Sequence, residues 1–275
     1  MPRSQLNTLT WNLDSIIENG DLMTDANKMP WLTASEQIDH LKSRGVHFSL
    51  MSEDDARAYL EKNSNYFRLR AHRLGFPKVE EGAREGKYAN LDFKMLVDLS
   101  IVDMLLRYEM LPLTLDVEHF AKVKLLKRIE TEGEDGYAVV SDYISSRDGT
   151  KPDGTPCNSL KDEILRGKNS PYTGGLIAKY NDFGFPERAF IEVISFGSFL
   201  YFYKYCANRF VDRGMLEEFY ILQAVKSLRN ACAHNSCILN NLRADRPSFK
   251  PSYVVTRELS TIAGIGLDQR KSERG

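Results

Sequence analysis

An arginine, an asparagine and a histidine stand within six residues of one another at Arg229, Asn230 and His234, in the stretch Ser227-Leu228-Arg229-Asn230-Ala231-Cys232-Ala233-His234-Asn235. Arginine offers a planar fork of donors that suits phosphate oxygens, and histidine titrates near neutrality and moves protons. The chemistry these types can carry is therefore the handling of a phosphodiester. Leu216, Phe219, Val225, Leu228 and Cys232 run into the stretch at helical spacing, so it reads as the end of an amphipathic helix over 215–234. At about 100° per residue, Asn230 and His234 share a face, and Asn230 can touch and orient the histidine. Arg229 lies about 140° from His234 and can converge with it only on something outside the helix, such as a phosphate or a second copy of the motif. Ala231, Cys232 and Ala233 leave room for another backbone to approach. The plain alternative is a helix-dipole pair on a solvated helix end. Cys232, His234 and Cys237 could share a zinc ion, but no fourth ligand is evident and no metal is assigned.

A second set of candidates lies between Tyr66 and Lys78, where four Lys or Arg and no acid are interleaved with aromatic rings. Charges hold phosphates and rings stack on unpaired bases, so Tyr66, Arg68, Arg70, His72 and Arg73 are candidates for contact with RNA. The competing reading has Tyr66, Leu69 and Phe76 as core and the arginines as solvated surface. Lys122 and Lys124, with Lys127 and Arg128 nearby, offer a further basic surface, for which a solvated helix face is the ordinary account.

The elements that must position these residues are helical. Thr33-Ala34-Ser35-Glu36 is a capping box that opens a short helix closed by Gly45, and Ser52 with Glu53, Asp54 and Asp55 opens another. Phe93, Leu96, Val97, Ile101, Met104, Leu105 and Tyr108 form one stripe of a helix over 93–111, with a separate helix expected at 116–129. Asp103 and Arg107 lie off that stripe, and their acid-first i,i+4 order has a plain intrahelical ion pair as its default account. Segment 131–175 holds seven of the 18 glycines and three of the ten prolines, and reads as an insertion with short helices at 138–144 and 159–165. A largely aromatic, buried helix is expected over 186–210. Weaker signals are a helix over 6–17 and a short strand at 253–256.

Composition bounds the rest. With 275 residues, 42% hydrophobic and 27% charged, the chain has the profile of a soluble globular protein, mainly α-helical in class. A net charge of −1 excludes a generally basic nucleic-acid coat, so any nucleic acid must be held by local patches. No uninterrupted apolar run is long enough to span a membrane and the N-terminus lacks a signal-like apolar core, so a cytoplasmic protein without membrane partners is expected. The four cysteines, with no C-x-x-C, are expected reduced. The domain layout expected is an N-terminal helical region over 1–80, a helical core over 90–245 and a polar tail over 246–275.

Taken in blocks, the chain resembles the Abi-like proteins of bacterial abortive infection, the AbiD/AbiF type, whose helical core belongs to the HEPN superfamily. The first block is Pro30, Leu32, Thr33, Gln37, Leu41, Arg44-Gly45, Tyr59-Leu60, Asn65-Tyr66 and Arg68-Leu69. The second is Phe93, Leu96, Leu99, Asp103 and Leu106-Arg107, with Ser100 and Val102 where aromatics are usual. The third, and most specific, is Glu192, Ser195-Phe196-Gly197 and Arg229-Asn230-x-Cys232-Ala233-His234 with Asn240. Asn235 departs from a second histidine often found after the first. The resemblance implies a HEPN-like helical bundle and a metal-independent endoribonuclease of phage defence, without small-molecule cofactor, in which two copies of the motif meet across a homodimer. It implies His234 as general base or acid, Arg229 as the cation on the phosphorane and Asn230 as the residue fixing the imidazole. It further implies restraint by a small structured non-coding RNA, for which the stretch Tyr66–Arg73 is the candidate holder. A non-catalytic RNA-binding protein and a helical interaction module in which Arg229 and His234 only support a dimer seam are the alternatives.

Overall fold

The computed structural model describes residues 32–63 and 66–239, together with positions 257 and 261; the signals at 6–17 and 253–256 and the tail lie outside the described residues. The described chain is helical apart from one two-stranded hairpin. It falls into two compact units: the first runs through Met104 and takes back Leu239, and the second holds Leu105–Ile238.

In the first unit, α1 (Ala34–Ser43) starts at the capping box, in which the Thr33 side chain accepts from the Glu36 N–H and the Glu36 carboxylate accepts from the Thr33 N–H. The chain leaves α1 through Gly45 at φ +85°, where a Cβ would meet Lys87 Cβ at 2.9 Å. α2 (Glu53–Lys62) starts at Ser52, whose hydroxyl accepts from the Asp55 N–H. α3 (Tyr66–His72) is followed by a 3-10 turn over Arg73–Gly75. Ile38, Leu41, Ala56, Leu60, Leu69, Leu91, Phe93 and Leu96 form the core of this unit. Buried Asp92 accepts from the N–H groups of Ser49, Leu50 and Lys94, which anchors the start of the next helix.

That helix, α4 (Phe93–Thr131), is one element of 39 residues where two were expected. Pro112 stands inside it. A proline forfeits a single backbone hydrogen bond and its ring crowds the preceding turn, and burial on both sides of position 112, at Arg107, Thr114, Leu125 and Ile129, outweighs that local cost. The expected apolar stripe also breaks up. Phe93, Leu96 and Val97 are buried, but Ile101, Leu105 and Tyr108 are 43%, 53% and 62% exposed. The buried positions along the middle of the helix are Ser100, Asp103, Arg107 and Thr114. Asp103 accepts from the Leu239 N–H at 2.8 Å and Arg107 donates to the Ser236 carbonyl at 3.3 Å, so both reach beyond their own helix.

The second unit continues with α5 (Gly136–Ser146), the hairpin of β1 (Gly149–Thr150) and β2 (Pro156–Cys157), α6 (Ser159–Arg166), α7 (Gly174–Lys179), α8 (Glu187–Val193), α9 (Phe196–Arg209) and α10 (Arg213–Ala233). Segment 131–175 contributes to the core. Its α5 and α6 fall where short helices were expected, and their Val139, Val140, Tyr143, Ile144, Leu160 and Ile164 pack in one core with Phe190, Phe199, Phe202, Tyr203 and Phe219. Burial there pushes the Tyr143 hydroxyl up to about 12 and the Cys206 thiol up to about 12.

The expected single helix over 186–210 is two, because Ser195 turns extended at φ −66°, ψ 160°; its hydroxyl accepts from the Ser198 N–H and caps α9. Glu163 of α6 holds the corner by accepting from the Ser195 N–H at 2.7 Å and from the Ser198 hydroxyl at 2.5 Å. Partial burial disfavours the Glu163 carboxylate, but the bonds from Ser198 and Ser195 outweigh this and hold its pKa below the usual glutamate value. A lowered folded pKa contributes stability above the carboxylate range that disappears as pH falls through it. Glu163→Ala is expected to lower the unfolding free energy at neutral pH by about 1 kcal/mol. In urea titrations the difference from wild type should shrink below about pH 4, where the wild-type carboxyl is protonated.

Candidate functional site

The motif helix α10 starts at Asp212, whose carboxylate accepts from the Met215 N–H, and packs against α9 with Met215, Phe219 and Leu222 buried. It ends at the motif. His234 is the C-cap, with its N–H on the Asn230 carbonyl at 2.9 Å. Asn235 follows at φ +56°, its N–H on the Cys232 carbonyl, and the Ser236 N–H bonds the Ala231 carbonyl at 2.8 Å. This is a Schellman closure, and asparagine is among the few residues other than glycine that tolerate its left-handed position. The backbone under His234 is thereby fixed, while the residue itself is exposed. Cys232, two residues earlier on the inward side, is buried, and burial raises its thiol pKa against an opposing pull from Arg107.

Arg229 is held on two sides. Its Nε lies 3.5 Å from Glu118 Oε2 on α4, and one of its terminal nitrogens donates to Asn230 Oδ1 at 3.1 Å. The side-chain bond of Asn230 in this structure therefore goes to Arg229 and not to the histidine. Glu118 also faces Lys122 at 3.7 Å, and Lys122 stands 4.0 Å from Glu192 of α8. Two acids and two cations thus alternate from Glu192 to Arg229. The side chains of Glu118 and Lys122 are 13% and 17% exposed, while Arg229 is 31% exposed and so remains reachable from solvent. The contacts are loose: Glu118 Oε2 and Arg229 Nε are buried without a hydrogen bond of good geometry. An arginine placed so, with an exposed histidine five residues on at the same helix end, can meet an anion.

The structure places Arg229, Asn230 and His234 at one helix end, with Arg229 bonded to Asn230, and distributes the other candidates differently. Lys122 belongs to the inner charge chain just described, and Lys124 pairs with Glu218. Arg70, His72 and Arg73 are buried, and Tyr66 and Phe76 pack against the core of the first unit; Arg68 is half-buried. The stretch 66–78 is therefore not an open face of rings and charges. Glu118 is the residue that sequence reading missed. Its i,i+4 relation to Lys122 was visible in the chain, whereas its contact with Arg229, more than a hundred positions away, was not.

A family model described as Abi-like protein matches residues 58–240, more than half of the chain. No curated protein and no solved structure gives a match.

The loose, alternating charges predict a modest but coupled contribution to stability. Glu118→Ala is expected to cost about 1 kcal/mol by leaving two cations facing one another, and adding Lys122→Ala should recover part of that loss, with a coupling of about 0.5 kcal/mol in a denaturation double-mutant cycle.

Proposed function

The chain belongs to the Abi-like protein family, and from that premise we propose that it is a phage-defence toxin acting as a metal-independent endoribonuclease of the HEPN type. The observation that carries this reading is the partly exposed Arg229, held by Glu118 and Asn230 beside the exposed His234 on a fixed helix end. In the proposed reaction His234 takes the proton of the ribose 2′-hydroxyl or returns one to the leaving 5′-oxygen. The bond formed is from the 2′-oxygen to phosphorus, the bond broken is from phosphorus to the 5′-oxygen, and the product carries a 2′,3′-cyclic phosphate. Arg229 stabilises the charge that develops on the phosphorane. Asn230 acts on the arginine fork, a positioning role beside the ring-fixing one that the resemblance implies.

A homodimer fits this reading. Within the second unit, Leu105, Tyr108, Leu113, Leu115, Val117, Phe120 and Val123 of α4 are each at least 40% exposed, an apolar surface of the sort that marks association sites. Glu118, which pairs with Arg229, lies in the same stretch of α4 but on its inward side, so the apolar residues and the partner of Arg229 occupy different faces of the helix. Restraint by a small non-coding RNA is the regulatory part of the proposal. The second reading, an RNA-binding protein that does not cleave, is favoured by Asn235 in place of a second histidine.

Purified protein incubated with RNA in the presence of a chelator is expected to give 2′,3′-cyclic ends. His234→Ala should slow this about 10²–10⁴-fold and Arg229→Ala about 10²–10³-fold, with folding checked by circular dichroism. Equal degradation by His234→Ala would assign the activity to a contaminant, and RNA retained without any product would favour the binding reading. Phe120→Asp is expected to shift the protein from dimer to monomer in light scattering and to reduce cleavage with it.

A further inference from the structure

Two helices of the second unit carry a surface that the chemistry at His234 leaves unexplained. On α9, Gly197, Tyr201 and Lys204 stand at i, i+4 and i+7 and share a face; on α10, Tyr220, Ser227 and His234 stand at i, i+7 and i+14 and share another. α10 packs against α9. The seam between them is marked by the Tyr201 and Phe219 rings, 6.4 Å apart between centroids, and by Lys204 Nζ, 5.0 Å from the centre of the Phe219 ring. Nearer the motif, a Cβ on Gly197 would lie 3.4 Å from Lys226 Cε, so the lysine of α10 occupies the space that the glycine leaves.

Phe219 is buried in this seam, but the rings that touch it are open. Tyr201 is 49% and Tyr220 62% exposed, and the Tyr220 centroid stands 5.3 Å from that of Phe219. Arg147, at the end of α5, sits 5.7 Å from the centre of the Tyr201 ring. Two open rings around one buried neighbour, with cations against their faces, make a platform and not a scatter of surface residues. These cations are unpaired. Among the described residues Arg147, Lys204 and Lys226 have no carboxylate at ion-pair distance, while Glu163 is taken up by Ser195 and Ser198, and Glu218 by Lys124 and Tyr203. Glu217 lies about 160° round α10 from Phe219, away from the seam.

We propose that this seam is a track for single-stranded RNA, with unpaired bases on Tyr220 and Tyr201, phosphates on Lys226, Lys204 and Arg147, and the strand leading to His234. Every base has a face that stacks on a ring, so such a platform holds a strand whatever its sequence, and a duplex keeps those faces to itself. Tyr220 and His234 are separated by about 21 Å along α10, which a few nucleotides of extended strand cover. An apolar protein face laid here would bury three cations without partners, whereas phosphates neutralise them. The track deepens the ribonuclease reading above and rests on it for what happens to the strand at the His234 end.

The test uses the full chain carrying His234→Ala, so that no probe is cut, and follows the fluorescence anisotropy of a labelled single-stranded RNA of mixed sequence. Adding Tyr220→Ala, at an exposed position, is expected to weaken binding about tenfold, and Tyr220→Trp to keep it. Lys204→Gln should lower the slope of log affinity against log salt by about 0.7, a change that a merely structural role would not produce. The same sequence as a duplex should bind markedly more weakly. These losses in a chain whose parent never cuts RNA support the track and remove only the ribonuclease reading. Cleavage by the parent with affinity unchanged in both Tyr220→Ala and Lys204→Gln overturns the track and leaves that reading standing. Duplex bound as tightly as single strand also overturns it, as does a loss of self-association in Tyr220→Ala with RNA affinity intact, which would assign the surface to a second copy of the chain.

Discussion

Arg107 is almost wholly buried, and what it reaches is the chain just past the motif: its guanidinium donates to the carbonyl of Ser236, two residues beyond His234. A buried cation that lost its partners would leave an uncompensated charge in the protein interior, at a cost of several kcal/mol. The path of the chain after α10 is therefore constrained by a residue on α4. Asp103, also buried, accepts from the N–H of Leu239. The Schellman closure at His234 to Ser236 fixes the helix end locally, and Arg107 fixes where the closed turn can lie.

This use of α4 explains its inverted pattern. A helix that turned Ile101, Leu105 and Tyr108 inward could not place Asp103 and Arg107 where they are, since the two sets lie on different faces. The exposed apolar residues are thus what is left when the inward positions are taken by polar side chains that hold the chain after the motif. Arg229, by contrast, is held loosely, by a carboxylate at 3.5 Å and an amide at 3.1 Å. Loose neutralisation contributes little stability but leaves an arginine oriented and able to exchange a protein partner for a phosphate oxygen.

Local signals were legible in the sequence and long-range ones were not. Thr33 with Glu36, Ser52 and the periodicity of 215–234 are written within a few residues, and α1, α2 and α10 lie where these predict. Arg229, Asn230 and His234 were singled out by type and spacing, and they fall at the end of α10. Pro112 read as a boundary because its local cost is visible in the chain, whereas the burial on either side that carries α4 past it is not. The break at Ser195 was hidden by the aromatic residues that flank it, and its cause, Glu163, lies some thirty positions upstream. The glycines of 131–175 spoke for loops, but Val139, Val140, Tyr143 and Ile164 put that segment in the core. Charge interleaved with rings at 66–78 suggested a surface, and burial took most of it into the first unit.

Asn235 bears on how the proposed reaction must be organised. At φ +56° it occupies a position that both asparagine and histidine tolerate better than most side chains, so the helix end keeps its shape whichever residue stands there. What asparagine removes is an imidazole. Each copy of the motif then brings one histidine, His234, to a reaction in which one proton leaves the 2′-oxygen and another reaches the departing 5′-oxygen. Either one imidazole does both in turn, or two copies each supply one. In the second arrangement a monomer holds only half of the acid–base pair, and the second imidazole must come from another copy of the chain.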